Sequence, residues 1–369
     1  MGARVARCRC GIPFLAWQRI ESGVDVADHA ADGPEHVRVP RIVRFALLGL
    51  LWLALAWVFW LRFRHDAMDA LRSLPRLGLA MCEALGLFII WTAAASAGWR
   101  ALCRAAALGQ NGSVPSLLRL AAIRIQAQAL NLVLPTAGLA GETWRAVSSS
   151  QTVADTRGSI AAVVLDNVAS GVSGLALAAL CAPLLAASVS GHWCEGILAC
   201  AALAASGLAV ERVPFALAPR ALRFVPPAGR VASVLRILAD SRSMRPALRR
   251  AVAWHLVERV VAIGEVYVVF LALSIPATLV HAAAISSLFV LVSFAAFFVP
   301  GQVGVADLLV VIVCAALGLP PAAGIGVAAV RRVRQLAACL AGMALMLLVR
   351  RPPPPAAEGC IPRLKREVP

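Results

Sequence analysis

Three arginines lie near the centre of a long apolar segment, residues 322–349. Arg331, Arg332 and Arg334 would each cost about 2.5–3.5 kcal/mol at the middle of a membrane-spanning helix, so a function or a partner must compensate for them. Arg331 and Arg334 are three residues apart and share a helix face, where two guanidinium groups could grip a phosphate or another headgroup. One alternative is a structural ion pair, for which the candidate acids are Glu258, Glu265, Asp307 and Asp166. The other is that the span is shifted and the arginine side chains extend to the membrane surface.

A second polar stripe runs along the apolar segment 251–275. Its members repeat at helical spacing: His255, Glu258, Arg259, Ala262 and Glu265. Glu265 lies at the centre of the segment, where a carboxylate could be held neutral and take up a proton. An ion pair between Glu265 and Arg331 or Arg334 is an equal alternative.

Two glycine pairs follow prolines and precede acidic residues. In the first, Pro135 leads to Gly138 and Gly141, and Glu142 and Arg145 come next. Glycines allow close backbone approach, and the N-terminus of a short helix after them would attract an anion. Alternatively, Glu142 caps that helix and pairs with Arg145.

The second glycine pair has the same arrangement. Pro300 is followed by Gly301, Gly304 and then Asp307. This similarity favours a functional role that both motifs share.

Polar residues elsewhere could complete the same site. Arg124 is followed at spacings of four and three by Gln128 and Asn131, which places all three on one helix face. Asp166 and Asn167 interrupt another apolar segment. They either line a common cavity with Arg124 or form hydrogen bonds between neighbouring spans.

The composition is that of a membrane protein. The chain has 369 residues, of which 60% are hydrophobic and only 15% charged, with a mean hydropathy of +0.81. Soluble domains carry about 45–50% apolar and about 25% charged residues, so this chain lacks the polar residues to cover a water-facing surface. The formal charge is +16, but the basic residues stand between apolar blocks and form no contiguous face for nucleic acid.

The sequence contains no catalytic or metal-binding signature. Its ten cysteines form no Cys-x-x-Cys pair and stand at no metal-ligand spacing from a histidine. Motifs of serine hydrolases, zinc proteases and nucleotide-binding loops are also missing. We therefore expect no metal, no cofactor, no catalytic residue and no enzymatic activity.

Six segments are long and apolar enough to span a bilayer. They comprise residues 42–61, 77–99, 158–187, 193–210, 251–275 and 322–349. Two further regions, 113–157 and 279–319, are apolar but are interrupted by polar or Pro-Gly sequences that cannot face lipid. We expect each of the two to form a re-entrant helical unit.

The distribution of arginine predicts the orientation. The loop 211–250 contains nine arginines against two acidic residues, so it should be cytosolic and contact anionic lipid headgroups. We expect residues 1–40 to form a flexible tail, in which five arginines stand beside five acidic residues, and residues 351–369 are basic. We expect both termini in the cytosol. All three regions reach the same side only if residues 113–157 return to the side from which they entered.

This arrangement predicts an inverted-topology repeat. A first half, residues 41–187, and a second half, residues 188–350, each contain span, span, re-entrant unit and span, in opposite orientations. The two glycine pairs are offset by 163 residues, which supports the register. The predicted fold is an all-α polytopic membrane protein with six spans and two re-entrant units, an architecture whose ligand sites lie near the membrane midplane.

Two motifs resemble those of a known family. Leu134–Arg145, which reads LPTAGLAGETWR, is similar to the first signature of the lysylphosphatidylglycerol synthase transmembrane region, the flippase-like family. Val299–Asp307, which reads VPGQVGVAD, resembles its second signature. Gly318–Pro321 and Arg331–Leu336 are most similar to the hopanoid-associated branch. The resemblance covers about residues 42–350.

The resemblance implies a bacterial inner-membrane protein that moves lipid between leaflets. Lipid-modifying members of the family also carry a cytosolic aminoacyltransferase domain. Only residues 351–369 follow the last predicted span, so we expect translocation without that enzymatic half. Two positions depart from the family pattern, since Asp307 replaces a more usual glutamate and Asn167 replaces an arginine that commonly follows Asp166.

We expect the substrate to be an amphipathic lipid, hopanoid or phospholipid-like, whose polar end lies among the midplane charges. The residues predicted to bind it are Arg331, Arg334, Glu142, Arg145, Asp307, Glu265, Arg124 and Asp166.

The main alternative is a scaffold or accessory protein of lipid biosynthesis, with biosynthetic enzymes or a second copy of the chain as partners. A membrane lipid transferase would need a convergent catalytic set, which the sequence lacks. A flippase differs from a scaffold in that its midplane charges should converge on one cavity.

Overall fold

The computed structural model describes residues 74–107, 114–134, 138–153, 156–189, 193–227, 229–295, 302 and 304–348. This part of the chain is helical, without strands. Its helices are α1 (Leu74–Ala107), α2 (Leu117–Val133), α3 (Leu139–Val153), α4 (Thr156–Val189), α5 (Trp193–Ala221), α6 (Arg230–Ala239), α7 (Ser241–Ala272), α8 (Leu279–Ala295), α9 (Val305–Ala316) and α10 (Pro321–Leu348). The predicted span 42–61, both predicted tails, Pro135, Pro300 and Gly301 lie outside the described residues.

Among the described residues, three helices are long and apolar enough to cross a membrane: Leu77–Ala107, Thr156–Ala187 and Cys194–Ala221. Helices α7 and α10 have 32 and 28 residues and contain most of two further predicted spans, but both carry charged residues within them. Large apolar side chains point outward from several helices, and Ile89, Leu198 and Leu340 are each more than half exposed. Such a surface suits helices that face lipid.

The described helices pack around two large apolar cores and a third, small one. The most extensive packing is between α1 and α7. One large core contains the buried side chains of Trp99, Leu165 and Leu248. The other large core contains Phe270 and Ile285, together with residues of α9 and α10. The charged residues of interest lie among α1, α2, α3, α4, α7, α8, α9 and α10.

Each predicted re-entrant region contains two helices separated by a break. In the first region α2 is followed by α3, and in the second α8 is followed by α9. Gly138 and Gly304 precede the second helix of each pair, and both have φ of 80°, a conformation that side chains with a Cβ rarely adopt. By the offset of 163 residues Gly138 corresponds to Gly301. By backbone conformation it corresponds instead to Gly304, three residues later.

The predicted basic loop, residues 211–250, is largely helical. Helix α5 continues to Ala221, α6 occupies ten residues, and α7 begins at Ser241. Helix α6 forms because Val234, Leu235 and Leu238 recur at helical spacing and pack against the Trp99 core. The high arginine content of this region conceals that apolar periodicity.

Candidate functional site

A cavity of about 660 Å³ opens among α1, α2, α3, α4, α7, α8 and α10. Its volume falls within the range of about 300–1,000 Å³ that is usual for ligand pockets. Part of its wall is apolar, with Trp91, Phe289 and several valines. Its charged lining residues are Arg124, Glu142, Glu258, Arg259, Glu265, Arg331 and Arg334.

The first group of charges, which we call the Asp166 cluster, contains Arg124, Arg145, Asp166, His255 and Glu258. All five residues are buried, and Asp166 is only 1% exposed. Arg124 Nη2 donates to Asp166 Oδ2 at 2.6 Å, and Arg145 Nη2 donates to the same oxygen. Two arginines thus share one carboxylate, and three helices are joined by charge-assisted hydrogen bonds.

His255 connects this carboxylate to a second one. Its Nε2 lies 3.0 Å from Asp166 Oδ1, and its Nδ1 lies 2.5 Å from Glu258 Oε2. Ionised carboxylates only accept hydrogen bonds, so both contacts are hydrogen bonds when each ring nitrogen carries a proton. Glu258 also lines the cavity. His255 therefore links the cavity wall to the buried Asp166.

An aromatic ring lies beneath the two arginines. The guanidinium carbons of Arg145 and Arg124 are 4.4 and 5.9 Å from the centre of the Trp99 ring. Trp99 is fully buried on α1. Desolvated cations over a tryptophan face are stabilised electrostatically. Nothing in the sequence indicates this contact, because a tryptophan within an apolar segment is equally typical of core packing.

Arg145 connects the Asp166 cluster to the cavity-lining end of α3. Its Nη1 donates to Glu142 Oε2 at 2.9 Å and to Asn167 Oδ1 at 3.4 Å. Glu142 and Asn167 both line the cavity. The pairing of Glu142 with Arg145 is one of the two alternatives that the sequence leaves open.

Close packing of α3 on α2 fixes this end of the site. The Gly141 N–H donates to Asn131 Oδ1 at 2.7 Å. A Cβ on Gly141 would lie 2.5 Å from the Ala127 carbonyl oxygen, which leaves no room for a side chain. On the next turn, Trp144 Nε1 donates to Gln126 Oε1 at 3.0 Å. These contacts hold Glu142 and Arg145 in position.

The second group, which we call the Arg331 cluster, contains Glu265, Asp307, Arg331, Arg332 and Arg334. Arg332 Nη2 donates to Asp307 Oδ2 at 2.6 Å, and Arg334 Nε donates to Glu265 Oε1 at 2.8 Å. Asp307 also accepts from the Gly304 N–H at 3.0 Å, so it caps α9 while it pairs with α10. The pair between Arg334 and Glu265 is one of the structural pairs considered from the sequence.

Arg331 is surrounded differently from its two neighbours. Its Nη2 donates to Gln302 Oε1 at 3.1 Å, and its guanidinium carbon lies 4.1 Å from the centre of the Phe289 ring. The Gln302 carbonyl accepts from Arg332 Nη2 at 3.1 Å. Gln302 has φ of 53°, a left-handed conformation that is unfavourable for most side chains, and the two arginine contacts hold it.

The structure separates the predicted binding residues into two sets. The residues that line the cavity are Arg331, Arg334, Glu142, Glu265 and Arg124. Arg145 and Asp166 lie behind its wall, while Asp307 is bound to Arg332. Glu258 and Arg259 belong to the polar stripe seen in the sequence and also line the cavity. Trp99, Phe289 and Gln302 were not anticipated.

These features define a helical membrane protein with a charged internal cavity. The family model of the lysylphosphatidylglycerol synthase TM region matches residues 41–342, and the chain therefore belongs to this family. The match confirms the resemblance of the two glycine motifs. No curated protein and no solved structure gave a match.

Proposed function

We propose that this protein moves an amphipathic lipid between the leaflets of a bacterial inner membrane through the cavity. The observation that carries the proposal is the convergence of cavity-lining charges from α2, α3, α7 and α10 on one space. Membership of a family related to lipid-modifying and flippase-like proteins supports it. We propose no enzymatic reaction for this protein.

The cavity suits a molecule with a polar end and an apolar body. Charged side chains can replace water around a headgroup, which lowers the cost of taking that headgroup into the membrane. Leu139, Val266 and Val290 supply part of the cavity's apolar wall. We propose a hopanoid-type or phospholipid-like molecule as substrate, with its tails remaining in lipid.

A scaffold for lipid biosynthesis is the competing proposal. A scaffold needs buried ion pairs for stability but has no use for a cavity lined with charges. Arg124, Glu142 and Arg334 have partners and also border open space, which favours transport. Association with biosynthetic enzymes or with a second copy would be compatible with either function.

We further propose that the two halves are related by an inverted repeat with six spans. In support, α2 of the first half packs on α10 of the second, and α8 of the second half packs on α4 of the first. In an inverted repeat α2 corresponds to α8 and α4 to α10, so the two contacts are equivalent. Arg145 on α3 pairs with Asp166 on α4, and Asp307 on α9 pairs with Arg332 on α10. The two pairs join corresponding helices with the charges reversed.

The proposed orientation has both termini and the 211–250 region in the cytosol. In a variant without native cysteines, a membrane-impermeant maleimide applied to intact cells should label a cysteine at Ser190. The same reagent should leave cysteines at Ser150 and Arg223 unlabelled. External labelling at Ser150 would contradict the re-entrant path of residues 113–157.

The transport proposal can be tested in vesicles. Purified protein is reconstituted with a tail-labelled fluorescent phosphatidylglycerol, and dithionite is added to bleach the dye in the outer leaflet only. If the protein moves the lipid, dye from the inner leaflet also becomes accessible. An inert scaffold would leave the inner-leaflet dye protected.

Matched tryptophan variants make the assay specific for the cavity. Ala262 lines the cavity, whereas Ala205 is exposed on α5. Ala262→Trp should fill the space and abolish bleaching of the inner-leaflet dye, while Ala205→Trp should behave as the wild type. Equal transport by both variants would contradict the cavity as the route.

A further inference from the structure

The charges around the cavity are not balanced. Five carboxylates belong to the two clusters and to the start of α3: Glu142, Asp166, Glu258, Glu265 and Asp307. Each has an arginine within 4.0 Å, and the pairs are Glu142 with Arg145, Asp166 with Arg124, Glu258 with Arg259, Glu265 with Arg334, and Asp307 with Arg332. One arginine of the six, Arg331, has no carboxylate partner among the described residues.

The neighbours of Arg331 make up for the missing carboxylate only in part. Gln302 Oε1 and the face of Phe289 are neutral partners. Its Nη1 is buried and has no hydrogen-bond partner in the described part of the chain. A guanidinium group does not lose its proton under ordinary conditions, so Arg331 stays charged. A cation that has no carboxylate partner among the described residues, in a space already shared with Arg334, is costly unless it gains a counter-charge.

A ligand anion would supply what the site lacks. Arg331 lines the cavity and has a planar group that can bind two oxygens at once. A phosphate or carboxylate beside the guanidinium group would add the missing negative charge. An uncharged polar group would form hydrogen bonds but would supply no charge.

We propose that the cavity selects an anionic headgroup, and that Arg331 is the group that recognises its charge. This inference rests on the proposed lipid transport and narrows its substrate class. A phospholipid or a polycyclic lipid qualifies when its polar end carries one net negative charge. Arg334 does not take this role, because Glu265 already neutralises it.

Affinity measurements on the purified protein in neutral detergent test the inference. The probes are lysophosphatidylglycerol, which is anionic, and lysophosphatidylcholine, which has no net charge. The wild type should bind the anionic probe about tenfold or more tightly, as expected when hydrogen bonds to a charged group are made. Arg331→Gln should remove this preference, whereas Arg119→Gln, at an exposed residue of α2 outside the cavity, should keep it.

A second variant distinguishes recognition from a structural role. Glu265→Gln should release Arg334 as a further unpaired cation and strengthen binding of lysophosphatidylglycerol. In the double variant Arg331→Gln/Glu265→Gln, Arg334 should restore a preference for the anionic probe. A double variant that binds both probes equally would overturn the inference, as would equal affinities in the wild type.

Free glycerol 3-phosphate separates a lipid ligand from a soluble anion. The inference predicts weak binding of this probe compared with lysophosphatidylglycerol. Binding of similar strength that also requires Arg331 would support anion recognition but contradict lipid transport. Transport of the labelled lipid with no dependence on its charge would contradict anion recognition alone.

Discussion

The two charged clusters contain the same kinds of residue but differ in burial and in balance. In the Asp166 cluster, two arginines and a histidine converge on one carboxylate that is 1% exposed. In the Arg331 cluster, the pair of Arg332 and Asp307 has side chains 26% and 21% exposed. In the first cluster each charged group has a partner of opposite charge, whereas in the second Arg331 has no carboxylate partner among the described residues.

The difference indicates a division of roles. Charges that are buried and paired with one another fix the positions of the helices, since removal of the shared carboxylate would break the pairs of two buried arginines. Charges that border open space can exchange a protein partner for a ligand. We infer that the Asp166 cluster holds α2, α3, α4 and α7 together, and that the Arg331 cluster binds substrate.

The largest effect is expected from Asp166→Asn. The amide preserves the shape but leaves Arg124 buried without its carboxylate partner and Arg145 with Glu142 alone. Breaking a buried pair typically costs about 3–5 kcal/mol. The unfolding midpoint in detergent should fall sharply, together with the yield. The control is Glu211→Gln, which removes a pair whose arginine side chain is 76% exposed and should cost less than about 1 kcal/mol. Similar losses in both variants would contradict the structural role of Asp166.

Packing at Gly141 should give the next largest effect. Gly141→Val places atoms against the Ala127 carbonyl and Asn131, and overpacking costs about 1–3 kcal/mol. Alanine should be milder than valine at this position. The matched control is Gly86→Ala on α1, where a Cβ meets nothing within 4 Å and the helix should gain slightly in stability. Thermal unfolding compares the variants, and an unaffected Gly141→Val would contradict the close packing of α2 and α3.

The two left-handed glycines test whether the halves are equivalent. Gly138→Ala and Gly304→Ala each force a Cβ into a conformation with φ of 80°, at a cost of about 1–2 kcal/mol. We expect similar decreases in unfolding midpoint at both positions. If one substitution is tolerated and the other is not, the two helix breaks have different requirements and the proposed repeat loses support.

The partly exposed pair of Arg332 and Asp307 should contribute less to stability than the buried pairs of Asp166. Arg332→Gln removes the link between α9 and α10, whose side chains are partly exposed, and should cost about 1 kcal/mol. The unfolding midpoint of Arg332→Gln should therefore lie well above that of Asp166→Asn. An equal loss of stability would mean that both clusters serve the fold.

Much of the helical architecture could be predicted because it depends on local patterns. Long apolar segments predicted α1, α4 and α5, and the glycine motifs predicted breaks before α3 and α9. The basic region was less predictable, since its arginines hide the apolar periodicity of α6. The left-handed conformation that Gly138 and Gly304 share could not be predicted either, because backbone conformation cannot be read from the spacing of glycines.

The candidate site was only partly accessible from the sequence. Arg331 and Arg334 are conspicuous because charge inside an apolar segment is costly. Their partners depend on contacts between distant helices, and a sequence cannot choose between Glu265 and Asp307 for a given arginine. Trp99 and Phe289 carry no signal at all, since an aromatic residue in a core and one beneath a cation have the same local sequence.

The division of roles is tested most directly by Arg331→Gln, with unfolding and transport measured on the same preparation. The account predicts an unfolding midpoint close to that of the wild type, because the substitution removes an unbalanced charge. It also predicts that dithionite no longer reaches inner-leaflet phosphatidylglycerol in the vesicles. A strongly lowered midpoint with normal transport per folded molecule would contradict the account, because Arg331 would then stabilise the fold instead of binding the lipid.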